Sequence, residues 1–125
     1  MSSRRILVVD DSASIRREVS DALASAGFEV VEAEDGMAGA ERIESDPTID
    51  IVLCDIHMPR MNGLEMVARV KSKPEHAALP ILMLTSETQP AFIKRAKEAG
   101  ARGWVVKPFA PSQLIAAVDK LAQVD

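Results

Sequence analysis

Residues 6–12 of the chain read Ile6-Leu7-Val8-Val9-Asp10-Asp11-Ser12, four apolar residues followed directly by two acids. A short apolar run rich in β-branched residues is typical of a strand covered on both faces, as in a parallel sheet. Ligands of open parallel sheets bind at the carboxyl ends of the strands. The segment therefore predicts a buried first strand that delivers two carboxylates to the functional edge of a sheet.

Four more strand-like runs follow, and helix-period segments separate them. The runs are residues 28–33, 49–54, 81–84 and 104–106. The first of these is interrupted by Glu29 and Glu32, which suits an edge strand. Apolar stripes at helical spacing predict the intervening helices, which begin near residues 13, 37, 63, 90 and 111. The pattern predicts an α/β fold, a doubly wound five-stranded parallel sheet flanked by five helices.

Composition limits the class of protein. A chain of 125 residues with 47% hydrophobic residues suits one domain with a real core. The net charge of −4, with no basic block, argues against nucleic acid or an anionic membrane as partner. A single cysteine, Cys54, excludes a disulfide framework. No apolar run suits a bilayer span or a signal peptide, so we expect a cytoplasmic protein.

Polar residues follow three of the later runs where each strand should end. They are Asp55, then Thr85-Ser86, then Lys107-Pro108. Neighbouring carboxylates repel one another unless a cation neutralises them, and oxygen ligands suit Mg²⁺. A lysine can pair with Asp55 and then with an incoming phosphoryl group. The set is typical of phosphoryl transfer to an aspartate nucleophile.

Each of these residues also has a simpler interpretation on its own. Residues 10–12 could cap a helix. Asp55 could be a loop residue, Thr85 a strand residue and Lys107 a solvated surface lysine. Those interpretations do not predict that all four lie at strand ends, and the shared position favours a functional site.

Four segments carry a family resemblance. They are residues 6–12, the block Asp55-Ile56-His57-Met58-Pro59-Arg60-Met61-Asn62-Gly63, residues 84–86, and Lys107-Pro108-Phe109. In order and spacing the chain resembles the receiver domains of two-component response regulators, which have the CheY-like variant of the flavodoxin-like fold. The resemblance implies strand order 2-1-3-4-5. It also implies that residues 1–125 are a single receiver domain with no effector domain.

The resemblance implies a metal-dependent phosphoacceptor. Asp55 would accept a phosphoryl group from the phosphohistidine of a histidine kinase. Asp11 would bind Mg²⁺ directly and Asp10 mostly through water. Asp55 itself and the backbone carbonyl of His57 would complete the protein ligands, and Mn²⁺ can substitute for Mg²⁺.

The resemblance also implies the residues around the phosphoryl group. The Thr85 hydroxyl, the Lys107 ammonium and the Ser86 backbone N–H would contact the phosphoryl oxygens. The Lys107–Pro108 peptide would be cis, an isomer accessible at low cost only before proline.

The resemblance implies further residues that carry the conformational switch or modulate hydrolysis of the phosphoryl group. Phosphorylation would draw Thr85 inward and let Trp104 follow; the alternative is a partly exposed strand tryptophan that never switches. His57 and Glu87 would modulate hydrolysis of the phosphoryl group; the alternative for His57 is a solvent-facing loop imidazole.

Output would pass through the face of the fourth helix, fifth strand and fifth helix. Residues 100–109 and 111–114 resemble the stand-alone chemotaxis type, which implies a chemotaxis histidine kinase as donor and the flagellar motor switch as target. We expect a monomer that assists its own phosphorylation and dephosphorylation but is not an enzyme.

Three alternatives compete with the chemotaxis reading. A receiver could instead be a phosphorelay intermediate or a developmental or proteolytic adaptor. A small phosphohydrolase would also use an Asp nucleophile, but His57 stands where its second acid should be. An FMN carrier shares the topology, but Asp10 and Asp11 would repel its phosphate.

Overall fold

The computed structural model describes residues 4–122, in which five strands alternate with five helices. The strands are β1 (Arg5–Val9), β2 (Glu29–Ala33), β3 (Ile51–Cys54), β4 (Ile81–Thr85) and β5 (Gly103–Val106). The helices are α1 (Ala13–Ser25), α2 (Gly36–Ser45), α3 (Gly63–Lys71), α4 (Pro90–Ala99) and α5 (Pro111–Ala122), with a 3-10 turn at Pro74–His76. Within this part of the chain, no helix has the length and apolarity needed to cross a membrane.

All neighbouring strands are parallel, and the order is β2-β1-β3-β4-β5, as expected. β2 lies at one edge, which agrees with its interrupting glutamates. The order reverses between β1 and β3, so the residues that follow these two strands flank the point where such sheets bind ligands.

The core lies in two layers because successive side chains of each strand point to opposite faces. Leu7 and Val9 pack on the side of α2 and α3, whereas Ile6 and Val8 pack on the side of α1 and α5. With helices on both faces, β1, β3 and β4 have almost no exposed residue. This two-sided burial is the physical reason for their continuous apolar runs.

Local signals set the ends of the helices. The Ser12 hydroxyl caps α1 by accepting the Ile15 N–H at 3.3 Å, and Asn62 forms a capping box with Glu65 at the start of α3. Gly27 follows α1 with a φ of +96°, the left-handed stop that a glycine predicts.

Several boundaries differ by one or two residues from the sequence interpretation. β1 and β5 each start one residue early, and β4 extends to Thr85. β2 starts one residue late, α2 starts one residue early at Gly36, and β3 starts at Ile51 and not at residue 49. Before β3, the Asp50 N–H donates to the Arg5 carbonyl at 2.8 Å, but the return bond goes to a side chain, because an Asp50 carboxylate oxygen accepts the Arg5 N–H at 2.8 Å.

Candidate functional site

Three carboxylates meet at the carboxyl edge of the sheet. Val9 and Cys54 are register partners in β1 and β3, so the aspartates that follow these two residues are neighbours. Asp10, Asp11 and Asp55 each offer an oxygen, and these oxygens lie within 4.8 Å of one another. Asp10 and Asp55 are buried, whereas Asp11 is exposed. The convergence expected from the sequence is therefore present.

Asp10 is the most constrained member of this acidic cluster. Its Oδ1 accepts the Ser12 N–H at 2.9 Å, and its Oδ2 accepts from Lys107 Nζ at 2.6 Å. Burial raises the pKa of Asp10, and these hydrogen bonds oppose that effect only in part. Helix capping, the simpler role considered for residues 10–12, belongs to Ser12 alone. Within the described chain, the Asp11 carboxylate has no hydrogen-bond or ion-pair partner.

Lys107 joins the two buried carboxylates. Its Nζ lies 2.6 Å from Asp10 Oδ2 and 3.0 Å from Asp55 Oδ2. Burial alone would lower the pKa of Lys107, but the hydrogen bonds and charges of Asp10 and Asp55 outweigh it and raise the pKa. The Lys107–Pro108 peptide bond is cis. The sequence predicted the pairing with Asp55 but missed the shorter contact with Asp10.

Thr85 closes the pocket from β4. Its side chain is fully buried, and its hydroxyl oxygen accepts the Glu87 N–H at 3.3 Å. The Lys107 N–H donates to the Thr85 carbonyl at 2.9 Å, which fixes the ends of β4 and β5 together. Ser86 follows at the exposed rim.

His57, Glu87 and Trp104 form one connected chain beside the pocket. His57 Nε2 lies 2.9 Å from Glu87 Oε1, and the Trp104 indole N–H donates to the Glu87 carbonyl at 3.1 Å. The N–H of Gln89 and the His57 ring together hold the pKa of Glu87 below its usual value. The imidazole is 57% exposed, yet it is not a free loop side chain. The half-buried indole packs against the core layer that contains Met83.

The sequence interpretation missed one arginine of the site. Arg16, on α1, donates from Nη1 to the Asp10 backbone carbonyl at 2.5 Å, and its Nε donates to Glu32 at 3.1 Å. The signal available in the sequence was a basic residue about one turn into the helix that follows the acid pair. Arg16 ties together β1, α1 and β2 beneath the cluster.

The chemistry of the donor set fits a hard divalent cation. The three carboxylates outnumber the single ammonium, so the pocket keeps an excess of negative charge, and its ligands are oxygens. Cys54 lies buried below, where burial raises the pKa of its thiol, so it offers no thiolate. A cation and a phosphoryl group can share such a pocket because each neutralises charge on the other.

Comparisons with known proteins identify the family of this chain. The family model described as a response regulator receiver domain matches residues 6–119. Chemotaxis protein CheY1 of Helicobacter pylori is 38% identical over 111 residues, which are 88% of this chain and 90% of that protein. Transcriptional regulatory protein PdtaR of Mycobacterium tuberculosis is 38% identical over 117 residues, 93% of this chain but 55% of that protein.

The fold is similarly shared with solved structures. The chemotaxis response regulator CheY4 of Vibrio cholerae superposes with a TM-score of 0.90 at 39% identity, covering 96% of this chain and 99% of that one. The family model matches nearly all of the described residues. The strand ends of the sheet also hold the acids that the sequence predicted there. The chain belongs to the response regulator receiver domains, the phosphorylatable signalling switches of two-component systems, and is homologous to CheY.

Proposed function

We propose that Asp55 is the phosphoacceptor and that a histidine kinase is the donor. The observation that carries this proposal is the position of the Asp55 carboxylate. Its Oδ1 accepts the Ile56 N–H at 2.7 Å, and its Oδ2 contacts Lys107 at 3.0 Å beside the other two acids. A carboxylate oxygen of Asp55 attacks phosphorus, the P–N bond of phosphohistidine breaks, and its electron pair returns to the imidazole.

Asp11, Asp55, Asp10 through water and the His57 carbonyl would hold Mg²⁺, or Mn²⁺ in its place. When bound, the cation supplies charge neutralisation for the phosphoryl oxygens. Lys107 then exchanges a carboxylate contact for a phosphoryl oxygen. The Thr85 hydroxyl and the Ser86 N–H donate to the remaining oxygens.

The pair formed by His57 and Glu87 modulates hydrolysis of the phosphoryl group. The His57 side chain of this pair is 57% exposed, so it is accessible to the water that hydrolysis requires. The chain thus assists its own phosphorylation and dephosphorylation. It is not a turnover phosphohydrolase, because His57, which Glu87 holds at 2.9 Å, stands two residues after Asp55 where such an enzyme has its second acid.

The output surface is the face formed by α4, β5 and α5. Trp104, Val105, Ala117 and Leu121 line a groove of about 390 Å³ there, beside the free edge of β5. Two basic residues, Arg102 and Lys120, line the groove as well, and both are exposed. An apolar floor with a basic rim fits an amphipathic segment of a partner protein that carries acidic residues.

The similarity to CheY1 and CheY4 favours chemotaxis, with a chemotaxis-type kinase and the flagellar motor switch as partners. The comparable similarity to PdtaR keeps a second candidate, a receiver with another output. We place the protein in the cytoplasm as a monomer whose partners are proteins and not nucleic acids or membranes.

The switch is tested by the emission of Trp104, the single tryptophan. Beryllofluoride with Mg²⁺, a mimic of the phosphoryl group, should change the emission because the indole N–H bond to Glu87 sits on the loop that must move. Asp55→Asn is the matched control and should give no change. An unchanged wild-type spectrum would contradict a coupled indole.

The output is tested by binding. Immobilised protein loaded with Mg²⁺ and beryllofluoride should retain the flagellar motor-switch protein more strongly than unloaded protein does. Tight binding to a histidine phosphotransferase alone, with no retention of the motor switch, would replace chemotaxis by a phosphorelay.

A further inference from the structure

The loop between β3 and α3, residues 56–62, runs alongside the acidic cluster and carries His57. One end of this loop is fixed by close backbone packing. The Gly63 N–H donates to the Ile56 carbonyl at 2.8 Å, and a Cβ on Gly63 would lie 2.1 Å from the Asp55 carbonyl oxygen. This contact fixes the end of the loop that adjoins α3. It does not fix the middle of the loop.

An ion pair holds the middle of the loop. Arg60 Nε lies 2.7 Å from Asp35 Oδ2, and Arg60 Nη2 lies 3.1 Å from Asp35 Oδ1. This is the two-pronged geometry in which an arginine fixes orientation as well as charge. Asp35 is 4% exposed and also accepts the Ala38 N–H at 2.8 Å as the cap of α2. The carboxylate is therefore a fixed anchor.

The backbone of Arg60 is strained. Its φ of +64° lies in the left-handed region, which a long non-glycine side chain rarely adopts. Such a conformation persists only where the surroundings enforce it. The next residue is held as well, because the Met61 carbonyl accepts the Gly36 N–H at 3.0 Å, and a Cβ on Gly36 would lie 2.2 Å from that oxygen.

We propose that Arg60 and Asp35 are positioning residues for the divalent-cation site, holding the β3–α3 loop so that the His57 carbonyl is in place before the ion binds. The inference rests on the proposed cation site. Neither side chain touches the ion. Their contribution is to order the loop before the cation binds. The free energy of cation binding then does not include the entropic cost of ordering the loop. The strain at Arg60 is thereby maintained by the ion pair and not by the cation.

The chain offers a matched control for a purely structural role. Arg69 makes an equally two-pronged pair with Glu44, at 2.7 and 3.0 Å, and this pair joins α3 to α2 away from the loop. If ion pairs mattered only for stability, breaking either one would have the same kind of effect.

The test is the dissociation constant of Mg²⁺, measured by titration calorimetry on folded protein, with the unfolding free energy from urea measured separately. Arg60→Asn keeps a residue that tolerates the left-handed backbone but removes the guanidinium, and Asp35→Asn keeps the helix cap. Both should weaken Mg²⁺ binding about 10-fold, the lower end of the effect of outer-shell residues on metal affinity. Arg60→Lys should restore part of it, and Arg69→Gln should leave it at the wild-type value.

Two results would count against the inference in different ways. If wild-type protein binds Mg²⁺ and the Arg60 and Asp35 variants lose stability but bind it equally well, the pair is structural only and the proposed function stands. If wild-type protein and Asp11→Asn show the same absence of Mg²⁺ binding, the cation site itself is wrong and the positioning role falls with it.

Discussion

Asp55→Asn should reduce the uptake of phosphate from acetyl phosphate to background, a loss of about a thousandfold or more, because an amide is not a nucleophile. The substitution keeps the size of the side chain and an oxygen that can accept the Ile56 N–H, so the fold should survive. The product to be measured is a hydroxylamine-labile acyl phosphate, quantified with radiolabelled donor.

Asp50→Asn is the matched control for this experiment. Asp50 lies next to the opposite end of β3 and is held by the Arg5 N–H, so the variant should be labelled like wild-type protein. Labelling of the Asp55→Asn protein at the wild-type level, with the phosphate on Asp10 or Asp11, would show that the acceptor has been misassigned.

Removing divalent cations should slow the same reaction by roughly a hundredfold or more, since a bound metal ion contributes several kcal/mol of charge stabilisation in the transition state. Without it, the phosphoryl group approaches three carboxylates, of which Lys107 pairs with two, Asp10 and Asp55. The initial rate is measured against Mg²⁺ concentration, starting in excess chelator.

Asp11→Asn provides the diagnostic variant for the metal. Because Asp11 is exposed, its substitution should not disturb the fold. The variant should, however, need a higher Mg²⁺ concentration than wild-type protein to reach the same rate of phosphorylation. An undiminished rate in chelator, in either protein, would exclude a metal-dependent mechanism.

Much of the fold could be predicted from single segments. The apolar runs of β1, β3 and β4 are continuous because helices cover both faces, and the glutamates of β2 mark an edge. The order of the strands in the sheet could not be predicted in this way. Periodicity reports which face of an element is buried but not which strand lies next to it, so the order came from the family resemblance.

The functional site also has a part that could be predicted from the sequence and a part that could not. Asp10, Asp55, Thr85 and Lys107 could be predicted because a parallel sheet brings the ends of its strands together, whatever the loops do. The contacts between His57 and Glu87, 30 residues apart, and between Arg60 and Asp35, 25 residues apart, depend on loop conformation and side-chain rotamers. No sequence period encodes these contacts, so they emerged only from the structure.

The most direct measurement is a crystal structure of the protein with Mg²⁺ and beryllofluoride. We expect beryllium bonded to an Asp55 carboxylate oxygen, with the cation held by the three acids and the His57 carbonyl. Lys107 and Thr85 should contact the fluorines. Beryllofluoride bound to another residue, or a cation bound away from Asp10 and Asp11, would contradict the account.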